Sequence, residues 1–377
     1  MPPTVLPGAH PARRAWLMAG AGIALLAGLD GALLLLGVWA PLDLARLATW
    51  HGPLMVLGFV GTLIALERAI AWGRALGHLV PLLGGLGALA LASPAPPRLG
   101  LALLTAAQVG LVGLYLPLWS RSRDDAALVQ TAGAVCSAGA AGLLLARTPV
   151  PQVLPWLVGF LVLTIVGERM ELSRLTMAGD HTLALLCLAL LTGLVLALAR
   201  PQVGWRACGA VLVVMALWLW RHDVARIGLR TVRARPAPRA PGATDTAGQG
   251  AYVGALLMLG YLWLAVAGAV WLAAGPTESG PAHDAGTHAA LLGFTMGMVM
   301  GHVPVIAPAV LRARLEWTPW FWLPAVLLEG SLVVRLGIGD ALARPGAVRL
   351  GGVVNVVSLL TLVLVVITHV HPRRTGA

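Results

Sequence analysis

The chain has 377 residues, of which 58% are hydrophobic and 11% are charged, and its formal net charge is +11. So small a charged fraction excludes an ordinary soluble domain and indicates a polytopic membrane protein. Basic loops that meet anionic lipid head groups account for the positive charge, so the lipid bilayer is the expected partner and nucleic acid is not.

Long apolar runs recur along the whole chain. Each is about 18 to 25 residues long, which is enough to cross roughly 30 Å of hydrocarbon as an α-helix. The predicted fold class is therefore all-α, with twelve transmembrane helices. The spans are predicted at residues 15–39, 53–71, 79–94, 99–119, 126–146, 153–172, 181–199, 204–220, 251–273, 287–311, 318–338 and 349–368.

The arginines orient these spans, because every basic residue of the chain is an arginine. Of the 26, 18 lie at the N-terminus, in the even-to-odd connections or in the C-terminal tail, whereas the opposite connections hold seven. By the positive-inside rule, the side with the arginine excess is cytoplasmic. Both termini are therefore predicted to be cytoplasmic.

An ionisable residue follows a Gly-Phe pair in three of the predicted spans, always nine positions after the glycine. Ionisable groups inside a membrane are costly and usually mark a functional site. The three elements are Gly58-Phe59 with Glu67, Gly159-Phe160 with Glu168, and Gly293-Phe294 with His302.

This shared register places helices 2, 6 and 10 in equivalent positions. It predicts a single transmembrane domain, residues 1–377, built from three pseudo-repeats of four helices. The repeat units are residues 1–124, 125–250 and 251–377, and a basic, Pro-rich cytoplasmic linker covers residues 221–250.

Two histidines are the main candidates for cofactor binding. His51 is predicted to open helix 2 and His288 to open helix 10, and both helices run from outside to inside. The two imidazoles would then lie near the outer face at similar depth. Imidazole suits iron and copper, so the pair could hold a six-coordinate haem. Alternatively, each histidine only caps its helix at the interface.

His302 extends the same face of helix 10 inward. It lies fourteen residues after His288, and therefore about 21 Å deeper, and Met298 precedes it by four residues on the same face. An imidazole with a thioether is a set of ligands that copper(I) accepts. Ordinary core packing is the alternative for the methionine.

The intramembrane carboxylates are candidates for proton transfer. Glu67, Glu168 and His302 would form a proton-loading cluster or a metal site if all three face inward. Otherwise Glu67 and Glu168 are interfacial anchors whose charges are offset by the arginine that follows each of them. Glu329, nearer to mid-depth, is the best candidate for a proton-relay carboxylate.

Arg335 is a further candidate at the predicted outer end. Its guanidinium fork matches the geometry of a carboxylate, so it could bind the propionates of a haem or pair with Asp30 of helix 1.

Three cysteines, in contrast, have no metal-type spacing and are predicted to be small core residues. They are Cys136, Cys187 and Cys208.

Several of these residues carry a resemblance to a known group of proteins. The element His51-Gly52-x-x-Met55 is similar to the low-spin haem ligand motif of the haem-copper oxidase catalytic subunits, and His288 lies on the helix that binds haem there. Gly58-Phe59 and the run from Gly293 to His302 look more like the NnrS family, distant relatives of those oxidases. Helices 6 and 7 lack the histidines of a binuclear centre, so oxygen reduction is not implied.

The resemblance implies a haem protein of the bacterial inner membrane, with haem b, copper as a second candidate metal, and an electron-donor protein as a candidate partner. Its role would be nitric oxide handling or electron transfer, with His51 and His288 as axial ligands. The competing hypothesis is a twelve-helix proton-coupled transporter that uses Glu67, Glu168, Glu329 and His302. A third is a membrane scaffold or assembly factor without turnover.

Overall fold

A computed structural model describes residues 11–172, 181–227, 246–311 and 313–372. These residues are almost entirely helical, and twelve helices among them are long and apolar enough to cross a membrane. The prediction of an all-α, polytopic membrane protein is therefore confirmed.

The described helices follow the predicted spans in the same order. Their bounds are α1 (Pro11–Leu35), α2 (Ala45–Trp72), α3 (Ala75–Ala92), α4 (Pro97–Ser122), α5 (Asp125–Leu145), α6 (Val150–Leu172), α7 (Thr182–Ala199), α8 (Pro201–His222), α9 (Thr246–Ala274), α10 (Pro281–Pro308), α11 (Pro319–Asp340) and α12 (Pro345–His369). Several begin with proline, which is tolerated in the first turn because the N–H groups there have no partner within the helix.

The two helices that carry the candidate histidines begin eight and six residues earlier than the sequence predicts, and this corrects the positions of those histidines. Helix α2 begins at Ala45 and α10 at Pro281, rather than at residues 53 and 287. His51 and His288 are the seventh and eighth residues of these helices, so neither opens its helix. Each lies roughly 10 Å along the helix axis from its start. The extra turns are less apolar than the spans, which is why hydropathy alone omitted them.

The chain divides into two compact units. The first comprises residues Met1–Phe160 with Ala309–Arg312, and the second comprises Leu161–Pro308 with Ala313–Ala377. In the first unit, α1 packs against α2 and α3, α3 packs against α4, and α4 packs against α5. The buried amide of Gln108 in α4 donates a hydrogen bond to the carbonyl oxygen of Leu57 in α2 at 3.4 Å.

In the second unit, α8 packs against α7 and α9, α9 packs against α10, and α11 packs against α12. Two short antiparallel strands, β1 (Ala313–Leu315) and β2 (Val370–Pro372), follow α10 and α12. The three cysteines are buried, as predicted for core residues. The linker predicted at residues 221–250 lies largely outside the described residues.

Candidate functional site

Among the described residues, three membrane helices contain a π-helical segment. The segments are Leu54–Val60 in α2, Ala289–Met296 in α10 and Val333–Asp340 in α11. Such segments in an α-helix frequently occur at functional sites. The three residues assigned to cofactor binding from the sequence all lie close to them. His51 precedes the first segment, His288 directly precedes the second, and Arg335 lies within the third.

The first two π-helical segments share the register predicted from the Gly-Phe pairs. Each begins four residues before the glycine of its pair, Gly58 in α2 and Gly293 in α10. The equivalent part of α6, before Gly159, is regular α-helix. Helices α2 and α10 thus share a local backbone feature that α6 lacks. The threefold repeat of the chain stays a prediction.

Glycine in the second pair is required by a close approach of helices. A Cβ at Gly293 would lie 2.3 Å from Cγ of Trp263 in α9, which no side chain can tolerate. In the same segment, the hydroxyl of Thr295 donates to the carbonyl oxygen of Ala290 at 3.0 Å. This part of α10 is therefore fixed both by packing and by a side-chain hydrogen bond.

His51 is held by a backbone carbonyl of the neighbouring helix. Its Nδ1 lies 2.7 Å from the carbonyl oxygen of Gly28 in α1. Because a carbonyl oxygen only accepts, Nδ1 carries the proton and the lone pair of the neutral ring is on Nε2. Met55, one turn later, also packs against Gly28. A histidine that binds iron through Nε2 has this tautomer.

His288 is held in the same tautomer by its own helix. Its Nδ1 lies 3.0 Å from the carbonyl oxygen of Asp284 and 2.9 Å from the Oδ1 atom of that residue. The lone pair of the neutral ring is again on Nε2. Metal-bound histidines usually donate their other N–H to a carbonyl or a carboxylate, so His288 also fits a haem ligand. His51 belongs to the first unit and His288 to the second, and a haem shared between them stays a prediction.

Arg335 has a carboxylate partner in α10. Its Nε and Nη2 donate to the two oxygens of Asp284 at 2.8 and 2.7 Å. Its Nη1 lies 3.5 Å from Oδ1 of Asn355, whose amide donates to Ser331 at 2.6 Å. The fork that was expected to bind haem propionates or Asp30 is therefore occupied by Asp284. Through that carboxylate, Arg335 helps to position His288.

The other predicted carboxylates of the first unit have local partners. Oδ1 of the buried Asp30 accepts a hydrogen bond from the backbone N–H of Leu42 at 2.9 Å. Glu67 pairs with Arg68 at 2.5 Å, and Arg68 also donates to Gln130 at 3.3 Å. Glu67 is thus offset by the next residue, as the interfacial-anchor hypothesis predicted.

A second network lies at the opposite ends of the membrane helices of the second unit. Arg169 of α6 donates from Nε to Asp223, directly after α8, at 2.9 Å. The same Asp223 oxygen accepts from the hydroxyl of Tyr261 in α9 at 2.5 Å. Arg169 also donates from Nη1 to Nε2 of His302 in α10 at 2.9 Å. The Arg169 and Asp223 side chains are 5% and 0% exposed, so the network is a buried ion pair that joins four helices.

This network does not fit a metal at His302. Its Nδ1 lies 2.7 Å from the carbonyl oxygen of Met298, and its Nε2 accepts from Arg169, so both ring nitrogens are engaged. The guanidinium charge beside Nε2 would also repel a cation. Met298 is buried and packs at Gly260 of α9. Within the described part of the chain, no group of three or more His, Cys, Asp or Glu residues is arranged to hold a metal ion.

Glu329 lies within α11 and contacts the helix that carries His288. Its Oε2 accepts a hydrogen bond from Nε1 of Trp263 at 2.6 Å. Its Oε1 is buried and has no hydrogen-bond partner among the described residues. This oxygen faces Gly297, one residue after the π-helical segment of α10. Glu168, the remaining predicted carboxylate, lies beside Arg169 in α6.

Sequence reasoning missed four residues that build these networks. Asp284 had a usable signal, because it precedes His288 by four positions and therefore shares its helix face. Asp223 had a weaker signal as an acidic residue close to several arginines. Tyr261 and Trp263 gave none, since aromatic residues in an apolar helix usually indicate only packing.

Taken together, the fold and the buried polar networks define a polytopic α-helical membrane protein. A family model described as Domain of unknown function (DUF8744) matches residues 14–371. The chain therefore belongs to this family. Comparison with curated proteins and with solved structures gave no match.

Proposed function

We propose that the protein is a haem protein of the bacterial inner membrane, similar to the NnrS family, in which the imidazoles of His51 and His288 would hold the haem. The observation that carries the proposal is the hydrogen bonding of the two rings. Each donates its Nδ1 proton to a fixed acceptor, so each directs the lone pair of Nε2 away from that acceptor. Each also lies beside a π-helical segment.

Haem b fits the cysteine content of the chain. Covalent attachment of a c-type haem requires a C-x-x-C-H motif, and the cysteines at 136, 187 and 208 are too far apart to form one. A haem would supply one-electron redox chemistry at its iron. The carboxylate of Asp284 would make His288 a more basic ligand, since second-shell acceptors have this effect. Copper is left out of the proposal because His302 and Met298 do not fit it.

The two imidazoles also favour one of the two roles expected of such a protein. If both imidazoles held the haem, it would need no further ligand. This would suit one-electron transfer, with an electron-donor protein as partner, better than the binding of nitric oxide.

Optical spectroscopy with metal analysis tests the proposal directly. We expect purified wild-type protein to show a Soret band and, after reduction, sharp low-spin α and β bands. His51→Ala and His288→Ala should each abolish the low-spin bands or lose the haem. His283→Ala is the matched control, because His283 lies in α10 but is hydrogen-bonded to the loop carbonyl of Thr277. A wild-type protein without haem, or ligand variants with unchanged spectra, would refute the proposal.

One observation favours a second candidate function, proton-coupled transport. A buried carboxylate oxygen without a partner, as in Glu329, is costly inside a membrane and is usually retained for function. The test is proton uptake into proteoliposomes under an imposed membrane potential. Transport predicts uptake that is lost in Glu329→Gln and kept in Glu316→Gln, a control at an exposed position. Haem-free wild-type protein with such uptake would favour the transporter.

A further inference from the structure

The first unit contains a cavity that is lined by none of the candidate haem ligands, metal ligands or proton-relay carboxylates. Its volume is about 720 Å³, and it lies where α2, α4, α5 and α6 have their predicted outer ends. Trp50 of α2 forms one wall, and Leu101 of α4 and Leu144 of α5, both buried, form another. The cavity therefore combines the size of a small-molecule site with largely apolar walls.

Two arginines, Arg98 and Arg147, line the same cavity and give it a positive charge. None of the described residues that line it is acidic. Both belong to the seven arginines on the side that the positive-inside rule predicts to be poor in basic residues. Two of these few outer arginines thus line one cavity, although they are far apart in the sequence. Their two positive charges would attract an anion to the cavity.

We propose that this cavity binds an anionic phospholipid of the surrounding bilayer. The guanidinium groups of Arg98 and Arg147 would bind the phosphate of the lipid. The parts of its acyl chains nearest the head group would lie against Leu101 and Leu144. Trp50 fits this position, because tryptophan is enriched at the membrane–water interface. A lipid suits the cavity better than a free anion does, since apolar walls would give a small hydrated anion no favourable contact. The proposal is independent of haem.

Native mass spectrometry of the full chain in detergent tests it, with phosphatidylglycerol and phosphatidylcholine as probes. Wild-type protein should retain phosphatidylglycerol in preference to the zwitterionic lipid. The double variant Arg98→Gln with Arg147→Gln should weaken phosphatidylglycerol binding by roughly 10- to 30-fold. A thermal unfolding curve of the variant establishes that it is folded, since both arginines are exposed and no loss of fold is expected.

Arg344→Gln with Arg349→Gln is the matched control. Both residues are exposed arginines at the predicted outer side, at the start of α12, and neither lines the cavity. The control should bind phosphatidylglycerol as the wild type does. The proposal would be overturned if the Arg98/Arg147 variant bound phosphatidylglycerol as tightly as the wild type does. It would also be overturned if the control lost as much binding as that variant, or if the wild type retained phosphatidylcholine as well as phosphatidylglycerol. Displacement of the lipid by millimolar inorganic phosphate would instead assign the cavity to free phosphate and overturn the lipid assignment.

Discussion

Removal of the Asp223 carboxylate should destabilise the protein strongly. In Asp223→Ala, the guanidinium of Arg169 would stay buried without a counter-charge, because its other partner, His302, accepts the hydrogen bond as a neutral ring. The side chains of the pair are 5% and 0% exposed, so water cannot replace the lost carboxylate. Breaking a buried pair in this way typically costs about 3 to 5 kcal/mol. The hydroxyl of Tyr261 would also lose its acceptor.

The buried cysteines provide the assay for this variant. A thiol-reactive fluorogenic maleimide labels Cys136, Cys187 and Cys208 only when the chain unfolds, so it reports the unfolded fraction in mixed micelles. Asp125→Ala, at an exposed position in the first turn of α5, is the control and should lose less than about 1 kcal/mol.

A double variant distinguishes the destabilisation caused by an unpaired buried charge from the destabilisation caused by lost packing. Arg169→Met combined with Asp223→Leu removes both charges, and replacing a buried pair by apolar residues is often neutral. The double variant should therefore be more stable than Asp223→Ala by about 2 kcal/mol or more. If Asp223→Ala is no less stable than the control, or if the double variant is worse than the single one, the reasoning is wrong.

Two further predictions concern α10. Gly293→Ala should destabilise the protein by roughly 1 to 3 kcal/mol in the same thiol assay, because its Cβ would overlap Trp263. Gly330→Ala, which has open space around it, should have a small effect, and similar losses in both variants would contradict the packing argument. Asp284→Asn should lower haem affinity by roughly 10- to 100-fold, measured by haem transfer to an acceptor protein, because His288 loses a carboxylate acceptor. Unchanged haem retention would show that Asp284 does not support the ligand.

The positions of the spans were predictable because each depends on a contiguous apolar run. The largest differences were at the N-terminal ends of α2 and α10, where polar turns such as Pro281–His288 continue the helix beyond the apolar run. Hydropathy cannot detect such turns, since they are helical for local reasons and lie outside the most apolar stretch. The positions of His51 and His288 within their helices were wrong for this reason.

The candidate site was predictable in its residue types but not in its pairings. The sequence singled out Arg335 as a buried cation that needs a carboxylate, but Asp284, 51 residues away, is the partner that the structure provides. The pairing of Glu67 with Arg68 was predictable because the residues are adjacent. Arg169, which has a similar acidic neighbour, instead binds Asp223, 54 residues away.

The sequence by itself determined that the chain is an all-helical membrane protein, because a long apolar segment in lipid can satisfy its backbone only as a helix or in a closed barrel. It also determined which few side chains carry charge inside the spans. Only the tertiary structure decided which of those charges are neutralised and which ring nitrogen of His51, His288 and His302 carries the proton. These properties depend on atoms contributed by other helices or by neighbouring turns, and their approach is set by packing that no single segment encodes.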